Sequence, residues 1–483
     1  MKRMFSPFAM SGLMVFILLV SACSSDPISV DSRTAVSAFL NGNEEIVAFG
    51  SIDIDEILMK AKYDKVPKLG VLLGGELKSL KEVIDLDEPV YYAIQGPMDQ
   101  DGVPAATYAF LKVKDQDKFV DKLVQRGYDI NTDSDIKSGQ DEGFAIGIRG
   151  ELAIVVAKTG DFDGKKMLAD AFKKTQGEAA EQRVNKILDS KGDFVLGVSM
   201  ASLYATSNTD LSSLSEDKQK ELKKMVDGSF VQTTVRFENG AAVLETKNYF
   251  SKKLKERMFM NADANAPLLA KLGSGTPRMG IAMNIDMKKL NNFLREFSPD
   301  AVGKLASTMG GPAQMALIAG GSDGLAGLFD GRMGFVAFGE GDDEPAFNVF
   351  IGLKKNGLGL AEMAKDIFSS SPQAIYNVGS DGASLFTNAA FGTGGQLKLP
   401  QGCENFGKSG ISGFISFEGL NFDDLDLEGE ENMIRAIKYI TVEYNNDGGR
   451  IYVKARKGQE NVLEQMMKEL LSAMTDEIGN ISI

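Results

Sequence analysis

The chain of 483 residues contains no histidine and no tryptophan. Without histidine it has no Ser-His-Asp or Cys-His catalytic group, no imidazole general base and almost none of the ligand sets that bind catalytic zinc. Without tryptophan it lacks the broad aromatic face on which sugars and bases usually stack. These absences weigh against several classes of hydrolase and against a large carbohydrate-binding platform.

Cysteine is nearly as scarce, with only Cys23 and Cys403 in the chain. If Cys23 is modified, no second thiol remains to form a disulfide with Cys403. Gly402 and Glu404 flank Cys403 and offer no cation that would lower the pKa of its thiol. We therefore expect Cys403 to be a small buried thiol without a chemical role, and we expect packing to stabilise the fold.

Basic residues are in deficit, because 53 Lys and Arg face 67 Asp and Glu, which gives a formal net charge of -14. The lysines are interspersed with acids, so the sequence has no basic face that would displace the counterions of a nucleic acid. The same argument disfavours anionic lipid headgroups. We predict no nucleic-acid partner.

A long apolar run stands near the N-terminus, after a basic start. It covers Leu13–Val20 and leads through Ser-Ala to Cys23, which is the arrangement of a bacterial lipobox. Residues 1–22 are therefore predicted to be a lipoprotein signal peptide, and Cys23 the acylated first residue of the mature chain. No later stretch approaches the roughly 18 apolar residues of a membrane-spanning helix. We expect acyl chains, palmitate among them, to anchor the chain in the outer membrane, facing the periplasm or the cell surface.

The strand-rich part of the chain repeats itself. An apolar strand followed by aspartate and a helix start occurs at Asp53 and again at Asp286. A second strand, an acidic turn and a proline-initiated return strand follow, beginning at Asp87 in the first copy and at Asp330 in the second. Each copy then closes with a hairpin whose turn contains Asn-Gly or Asp-Gly, and with an amphipathic helix.

The repeated blocks predict two similar domains, over residues 41–263 and 276–483, after a polar tether over residues 23–40. In each domain most strands are linked by hairpins, so the sheets should be largely antiparallel. Helices are expected to pack on one face of each sheet. The predicted fold class is therefore α+β, as a tandem repeat of two similar domains.

One acidic segment, residues 129–135, places oxygen side chains at alternate positions, as a calcium loop does. An EF-hand loop needs glycine at its sixth position and glutamate at its twelfth, whereas Ser134 and Gln140 stand there. A solvated acidic turn is the stronger interpretation and a weak calcium site the alternative. The candidate calcium ligands are Asp129, Asn131, Asp133 and Asp135.

Paired carboxylates could hydrolyse glycans without histidine. The acids that recur in both copies, such as Asp53 and Asp286, stand where helix caps and turns are expected. An active site needs to exist only once, so recurrence favours a structural role. We predict no catalytic residue and no cofactor, and we keep a histidine-free glycan hydrolase and a purely structural spacer as alternatives.

Taken together, the lipobox, the strand that ends in Ile52-Asp53, the hairpin and helix that follow Asp87, and the paired halves resemble a family of Bacteroidota lipoproteins, domain of unknown function 4836. The resemblance spans most of the mature chain and rests on strand and turn patterns. It implies an exported, lipid-anchored protein of unassigned activity, and no functional residues carry over. We expect a non-catalytic binding or scaffolding role, with an envelope protein or another ligand as partner.

Overall fold

The computed structural model describes residues 31–65, 75, 77–99, 102–158, 163–206, 214–261, 266–297, 323–339, 346–368, 374–392, 396–419 and 434–468. The predicted signal peptide and Cys23 lie outside these residues. The predicted combination of helices with largely antiparallel strands is confirmed. No helix in the described ranges is long and apolar enough to cross a membrane.

The chain divides into two compact units that differ from the predicted domains. The first comprises Met1–Asn208 with Gln232–Arg236, and the second comprises Thr209–Val231 with Phe237–Ile483. The boundary predicted between residues 263 and 276 therefore falls inside the second unit. The reason is a strand at residues 241–249 that pairs with a strand at residues 448–455 over seven residue pairs, a long-range contact that no local pattern predicts.

The strands of the first unit pair in an antiparallel order. Its described strands are β1 (Ile46–Ile52), β2 (Val90–Met98), β3 (Pro104–Lys112), β4 (Ile130–Asn131), β5 (Lys137–Asp141), β6 (Phe144–Arg149), β7 (Leu152–Ala157) and β8 (Phe194–Ser199). Strand β1 lies between β2 and β8, β3 lies between β2 and β7, and β6 pairs with both β5 and β7.

Helices cover both faces of the first unit's sheet, not the single face that was predicted. The helices are α1 (Ser32–Leu40), α2 (Ile54–Ala61), α3 (Gln116–Gln125), α4 (Gly164–Lys174), α5 (Gln182–Leu188) and α6 (Met200–Thr206), and the described residues 77–81 are also helical. On one face, Phe110 packs against Phe39 of α1 with ring centroids 5.2 Å apart. On the other, Leu111 belongs to a buried cluster with Phe119 of α3. Adjacent strand residues point to opposite faces, and both are apolar here, so each face requires a covering helix.

The tether predicted over residues 23–40 is too long, because α1 occupies residues 32–40. Asp31 caps the helix, because its carboxylate accepts a hydrogen bond from the backbone N–H of Arg33 at 3.1 Å. Val36 and Phe39 are 0% and 2% exposed. Apolar residues at helical spacing give α1 a face that packs into the core, so residues 32–40 belong to the folded unit.

The described strands of the second unit also pair in an antiparallel order. Strand β9 (Phe230–Glu238) is divided between the units. The other strands are β10 (Ala241–Tyr249), β11 (Met279–Asn284), β12 (Phe329–Phe338), β13 (Ala346–Leu353), β14 (Ile375–Gly379), β15 (Gly382–Phe386), β16 (Ile411–Ser416), β17 (Ile437–Asn445) and β18 (Gly448–Ala455). Strand β11 lies between β12 and β16, β13 lies between β12 and β15, and β17 links β16 to β18.

The described helices of the second unit flank the sheet. They are α7 (Glu216–Val226), α8 (Lys252–Arg257), α9 (Ala266–Leu269), α10 (Met287–Phe297), α11 (Leu325–Leu328) and α12 (Lys355–Phe368), and residues 462–468 are also helical. A core cluster that includes Leu272, Val336, Phe350 and Phe414 buries one face of the sheet.

The opposite face of β11 and β16 is open. Met279 and Ile281 are each 41% exposed and Ile415 is 40% exposed, whereas Gly280 and Ala282 between them are buried. Met279 and Ile415 are register partners across the two strands. The strict alternation places these apolar side chains together on one half-covered face of the sheet.

Candidate functional site

The candidate calcium ligands lie on an exposed loop that includes β4. The side-chain oxygen of Asn131 accepts a hydrogen bond from the backbone N–H of Asp133 at 2.9 Å. The carboxylate of Asp135 lies 3.7 Å from a guanidinium nitrogen of Arg149. No group of three or more acidic or cysteine side chains that could hold a metal ion occurs among the described residues. A calcium site involving Asp129 stays a prediction.

Asp129 and Asn131 do line an open cavity of about 580 Å³, which we name the first-unit cleft. The side-chain oxygen of Gln140 accepts a hydrogen bond from the backbone N–H of Gly164 and so ties the cleft wall to α4. The acids that line the cleft are exposed. Its lining residues are Asp129, Asn131, Ser138, Gly139, Gln140, Asp141, Glu142, Gly143 and Lys165.

The recurring aspartates are helix caps, as predicted. The carboxylate of Asp53 accepts a hydrogen bond from the backbone N–H of Glu56 at 2.9 Å. Burial raises the pKa of the Asp53 carboxyl, and this capping hydrogen bond opposes the shift. The carboxylate of Asp286 accepts hydrogen bonds from the backbone N–H groups of Lys288 and Lys289 at 3.1 and 3.0 Å. Both side chains satisfy helix N–H groups that would otherwise lack a partner.

A buried ion pair holds α2 to the start of β8. The ammonium of Lys60 lies 2.6 Å from the carboxylate of Asp193 and 3.2 Å from that of Glu56. Burial by itself would lower the pKa of Lys60, but hydrogen bonds to these two carboxylates raise it overall. The backbone of Asp193 also accepts a hydrogen bond from Asp53 and donates one to Val235. The cluster is structural, since every group in it is engaged.

The second unit has a comparable network at the predicted turn residue Asp330. Its carboxylate accepts hydrogen bonds from the backbone N–H and the guanidinium of Arg332. Asp381 lies 2.9 Å from Lys271 and 3.3 Å from Arg332. The hydrogen bond from Lys271 lowers the pKa of Asp381. These contacts fasten the turn after β14 to the start of β12, so Asp330 has the predicted structural role.

Cys403 is the buried thiol that was expected. It is 1% exposed and packs in the core cluster with Phe406 and Phe414. Burial raises the pKa of its thiol to about 11. Because the thiolate is the reactive form, we expect Cys403 to be unreactive at neutral pH.

Three helices of the second unit meet around Glu296, which is on α10. Its carboxylate lies 2.6 Å from the ammonium of Lys218 on α7 and accepts a hydrogen bond from Arg257 on α8. Lys218 also lies 2.9 Å from Glu221. The hydrogen bond from Lys218 lowers the pKa of Glu296 below its usual value. Both cations also lie over the ring of Phe297, at 5.6 and 5.8 Å from its centroid.

Beside this network, α7 and α8 enclose an open cavity of about 370 Å³, which we name the lysine cleft. No local sequence pattern reveals this cleft, because the two helices are separated by the strands β9 and β10. One feature of the sequence could have indicated the cleft: two short helical segments with four cations each, 26 residues apart at their nearest ends. The lysine cleft is lined by Asp217, Lys220, Glu221, Lys224, Met225, Lys253, Glu256 and Arg257.

Comparisons with known proteins add little. No protein-family model matches the chain, and no curated protein matches it. Crystal forms III and IV of TP0453 are each 12% identical to the chain with TM-scores of 0.27, and they align with 47% and 46% of it and with 81% of their own chain. Crystal form I of TP0453 is 11% identical with a TM-score of 0.28, over 47% of this chain and 81% of that one. Similarity at this level assigns neither a fold nor a function.

Proposed function

We propose that this protein is a lipid-anchored lipoprotein of the cell envelope with a non-catalytic binding or scaffolding role. The apolar run Leu13–Val20 followed by Ser-Ala-Cys23 supports an acyl anchor on Cys23 in the outer membrane. The absence of histidine removes the commonest proton-transfer group of enzymes.

One observation carries the non-catalytic part of the proposal. Among the described residues, the carboxylates whose pKa is shifted, leaving aside one in a surface turn, are committed to structure: Asp53 caps a helix, Glu296 joins three helices and Asp381 holds a turn. A catalytic acid or base must instead be free to exchange a proton with a substrate within hydrogen-bond reach. Side chains engaged in this way support a scaffold rather than an active site.

The alternative is a glycan hydrolase that uses two carboxylates in the first-unit cleft. Asp141 and Glu142 lie there with Asp129, but all three are exposed. A general acid of this class depends on burial in an apolar pocket to stay protonated at neutral pH. The exposed setting supports the non-catalytic proposal over this alternative.

Activity on a panel of glycans decides between the two. We expect no turnover by the purified chain above that of the variant Asp129→Asn/Asp141→Asn/Glu142→Gln. The triple variant keeps the shape of each side chain and removes its charge, so it serves as the matched blank. Turnover that disappears in the triple variant would establish the hydrolase and refute the non-catalytic role.

Variants of the two cysteines test the proposed acyl anchor. Mass spectrometry of the mature protein should find an N-terminal Cys23 carrying acyl chains, and Cys23→Ser should abolish palmitate incorporation and membrane retention. Cys403→Ser removes the other, buried thiol and should change neither. An unacylated Cys23 in the mature chain would contradict the proposal.

Crosslinking in intact cells that never recovers a reproducible partner would count against the binding role.

We also infer that the two halves arose by duplication. In the first unit, β1 has β2 and β8 as neighbours, with β3 beside β2 and β7 beside β3. In the second, β11 has β12 and β16, with β13 beside β12 and β15 beside β13. The same pairing order and the capping aspartates Asp53 and Asp286 support the tandem repeat. An experimental structure with different pairing orders around β1 and β11 would contradict it.

A further inference from the structure

We propose that the lysine cleft is a binding site for the phosphate group of a polyol phosphate ester, such as a glycerophosphate. This inference goes beyond the envelope role and does not depend on the anchor at Cys23. It rests on the charge of two helices, on which of their cations are already paired, and on the cavity between them.

The first step is the segregation of charge. Helices α7 and α8 together carry eight cations and four acids, a formal net charge of +4, in a chain whose total is -14. In the sequence these lysines are interspersed with acids and form no basic face. Tertiary packing brings the two helices together, and the cleft between them is lined by four cations and three acids, a formal net charge of +1 that favours anions.

The second step concerns which cations are already occupied. Lys218 and Arg257 are bound to Glu221 and Glu296, so they hold the helices together. Lys220 lies 3.7 Å from Glu216, with side chains 67% and 90% exposed, and such exposed pairs are worth little. Neither Lys224 nor Lys253 forms an ion pair with any residue in the described ranges.

The third step is the shape of the site. Lys220, Lys224 and Lys253 line one cavity of about 370 Å³, beside Met225, which is 3% exposed. A liquid water molecule occupies about 30 Å³, so a phosphate and part of the molecule that carries it fit in this space. Each lysine ammonium offers three donors, and several ammonium groups around one phosphate are a common mode of recognition.

The acids of the cleft define the rest of the ligand. Asp217 and Glu256 are exposed and line the same cavity. Carboxylates repel a bare anion but accept hydrogen bonds from hydroxyl groups. A ligand that combines a phosphate with neighbouring hydroxyls satisfies both sets of side chains. This chemistry is shared by soluble glycerol phosphate and by the headgroup of phosphatidylglycerol.

The test uses the full chain in nonionic detergent with glycerol 3-phosphate as the probe. Titration calorimetry measures affinity, and lysine acylation followed by mass spectrometry locates the site. We expect Lys224 and Lys253 to be acylated several times more slowly with the probe present. Lys224→Gln/Lys253→Gln should weaken binding about tenfold or more, the usual scale for a lost charge-assisted hydrogen bond.

The matched control is Lys223→Gln/Lys252→Gln. These lysines are on the same two helices, are exposed, and do not line the cavity. The control removes the same charge and should keep the affinity within about twofold, because screened long-range attraction is small at physiological salt. Equal losses in both variants, or protection of neither Lys224 nor Lys253, would overturn the site.

Detergent micelles that contain phosphatidylglycerol or phosphatidylcholine distinguish the two sources of the ligand. Protection of Lys224 and Lys253 by phosphatidylglycerol alone supports a lipid headgroup, and protection by glycerol 3-phosphate supports a soluble ester. Protection by phosphatidylcholine to the same extent would refute the requirement for hydroxyl groups. None of these measurements depends on whether Cys23 carries acyl chains. The phosphate site and the lipid anchor can therefore be refuted independently.

Discussion

The ammonium of Lys60 lies 2.6 Å from the carboxylate of Asp193, whose side chain is 3% exposed. This pair joins α2, which follows β1, to the residue that precedes β8. The two residues are 133 positions apart in the chain, so the contact exists only in the folded state. The ion pair holds α2, the helix that Asp53 caps, against β8, which pairs with β1.

Removal of the Lys60 ammonium should destabilise the fold, because the carboxylate that it binds is buried. We expect Lys60→Met to lower the free energy of unfolding by about 2 kcal/mol, because the carboxylate of Asp193, 3% exposed, loses the opposite charge of its ammonium partner. Lys65→Met removes an exposed charge nearby and should change the free energy of unfolding by less than about 0.5 kcal/mol. Denaturant unfolding measures both, and equal effects would show that the Lys60 pair is not buried in solution.

Glu296 should make stability depend on pH in the acid range. The hydrogen bond from Lys218 holds the folded pKa of Glu296 below its usual range, so its contribution to stability is fully present at neutral pH. The contribution is lost as the pH falls through the lowered folded pKa, where the carboxylate binds a proton. We expect Glu296→Gln to be less stable than the parent at pH 7 and the difference to shrink in strong acid. Urea unfolding at pH 7 and in strong acid measures the difference in the free energy of unfolding between the parent and Glu296→Gln. An equal difference under the two conditions would contradict this assignment.

The alternation on β11 predicts opposite outcomes at neighbouring positions. Ile281 is 41% exposed and Ala282 is 0% exposed. Ala282→Asp places a charge in the core and should cost about 4 kcal/mol or prevent folding. Ile281→Asp places the same charge on the open face and should cost about 1 kcal/mol, mostly from strand propensity. Thermal unfolding of the two variants compares them directly, and a reversed order would mean that the face of Ile281 is the buried one.

Cys403 should be unreactive in the folded chain. Burial raises the pKa of its thiol to about 11, so almost no thiolate exists near neutral pH. Iodoacetamide at pH 7.5 is expected to leave Cys403 unmodified until denaturant is added, after which labelling should be complete. Rapid labelling of the native protein, detected by mass spectrometry, would rule out the buried position.

Several features of the site were predictable from local sequence. Asp53 and Asp286 each precede an amphipathic segment, and both are caps, because capping depends only on residues three positions away. Cys403 is buried, as expected, and burial raises the pKa of its thiol, in line with flanking residues that offer no cation to lower it. The candidate loop at Asp129 was placed correctly at a polar surface, but its geometry was not predictable, because Asp135 pairs with the distant Arg149.

The errors share one physical cause. The tether was expected to extend to residue 40, yet Phe39 packs on Phe110 in the core. Helices were expected on one sheet face, yet Leu111 and Phe110 require cover on opposite faces. In both cases the deciding contact joins Phe39 to Phe110, 71 positions later in the chain, beyond the reach of periodicity or capping patterns.

The amino-acid sequence alone determined which residue types are missing, the alternation of the strands and the α+β class, since composition and short-range spacing encode these directly. Tertiary structure alone decided that Lys224 and Lys253 line one cavity, that Lys60 is bound to Asp193, and that β10 pairs with β18. The physical reason is that charge pairing and strand pairing act across space, and only the folded chain brings residues from distant positions into contact.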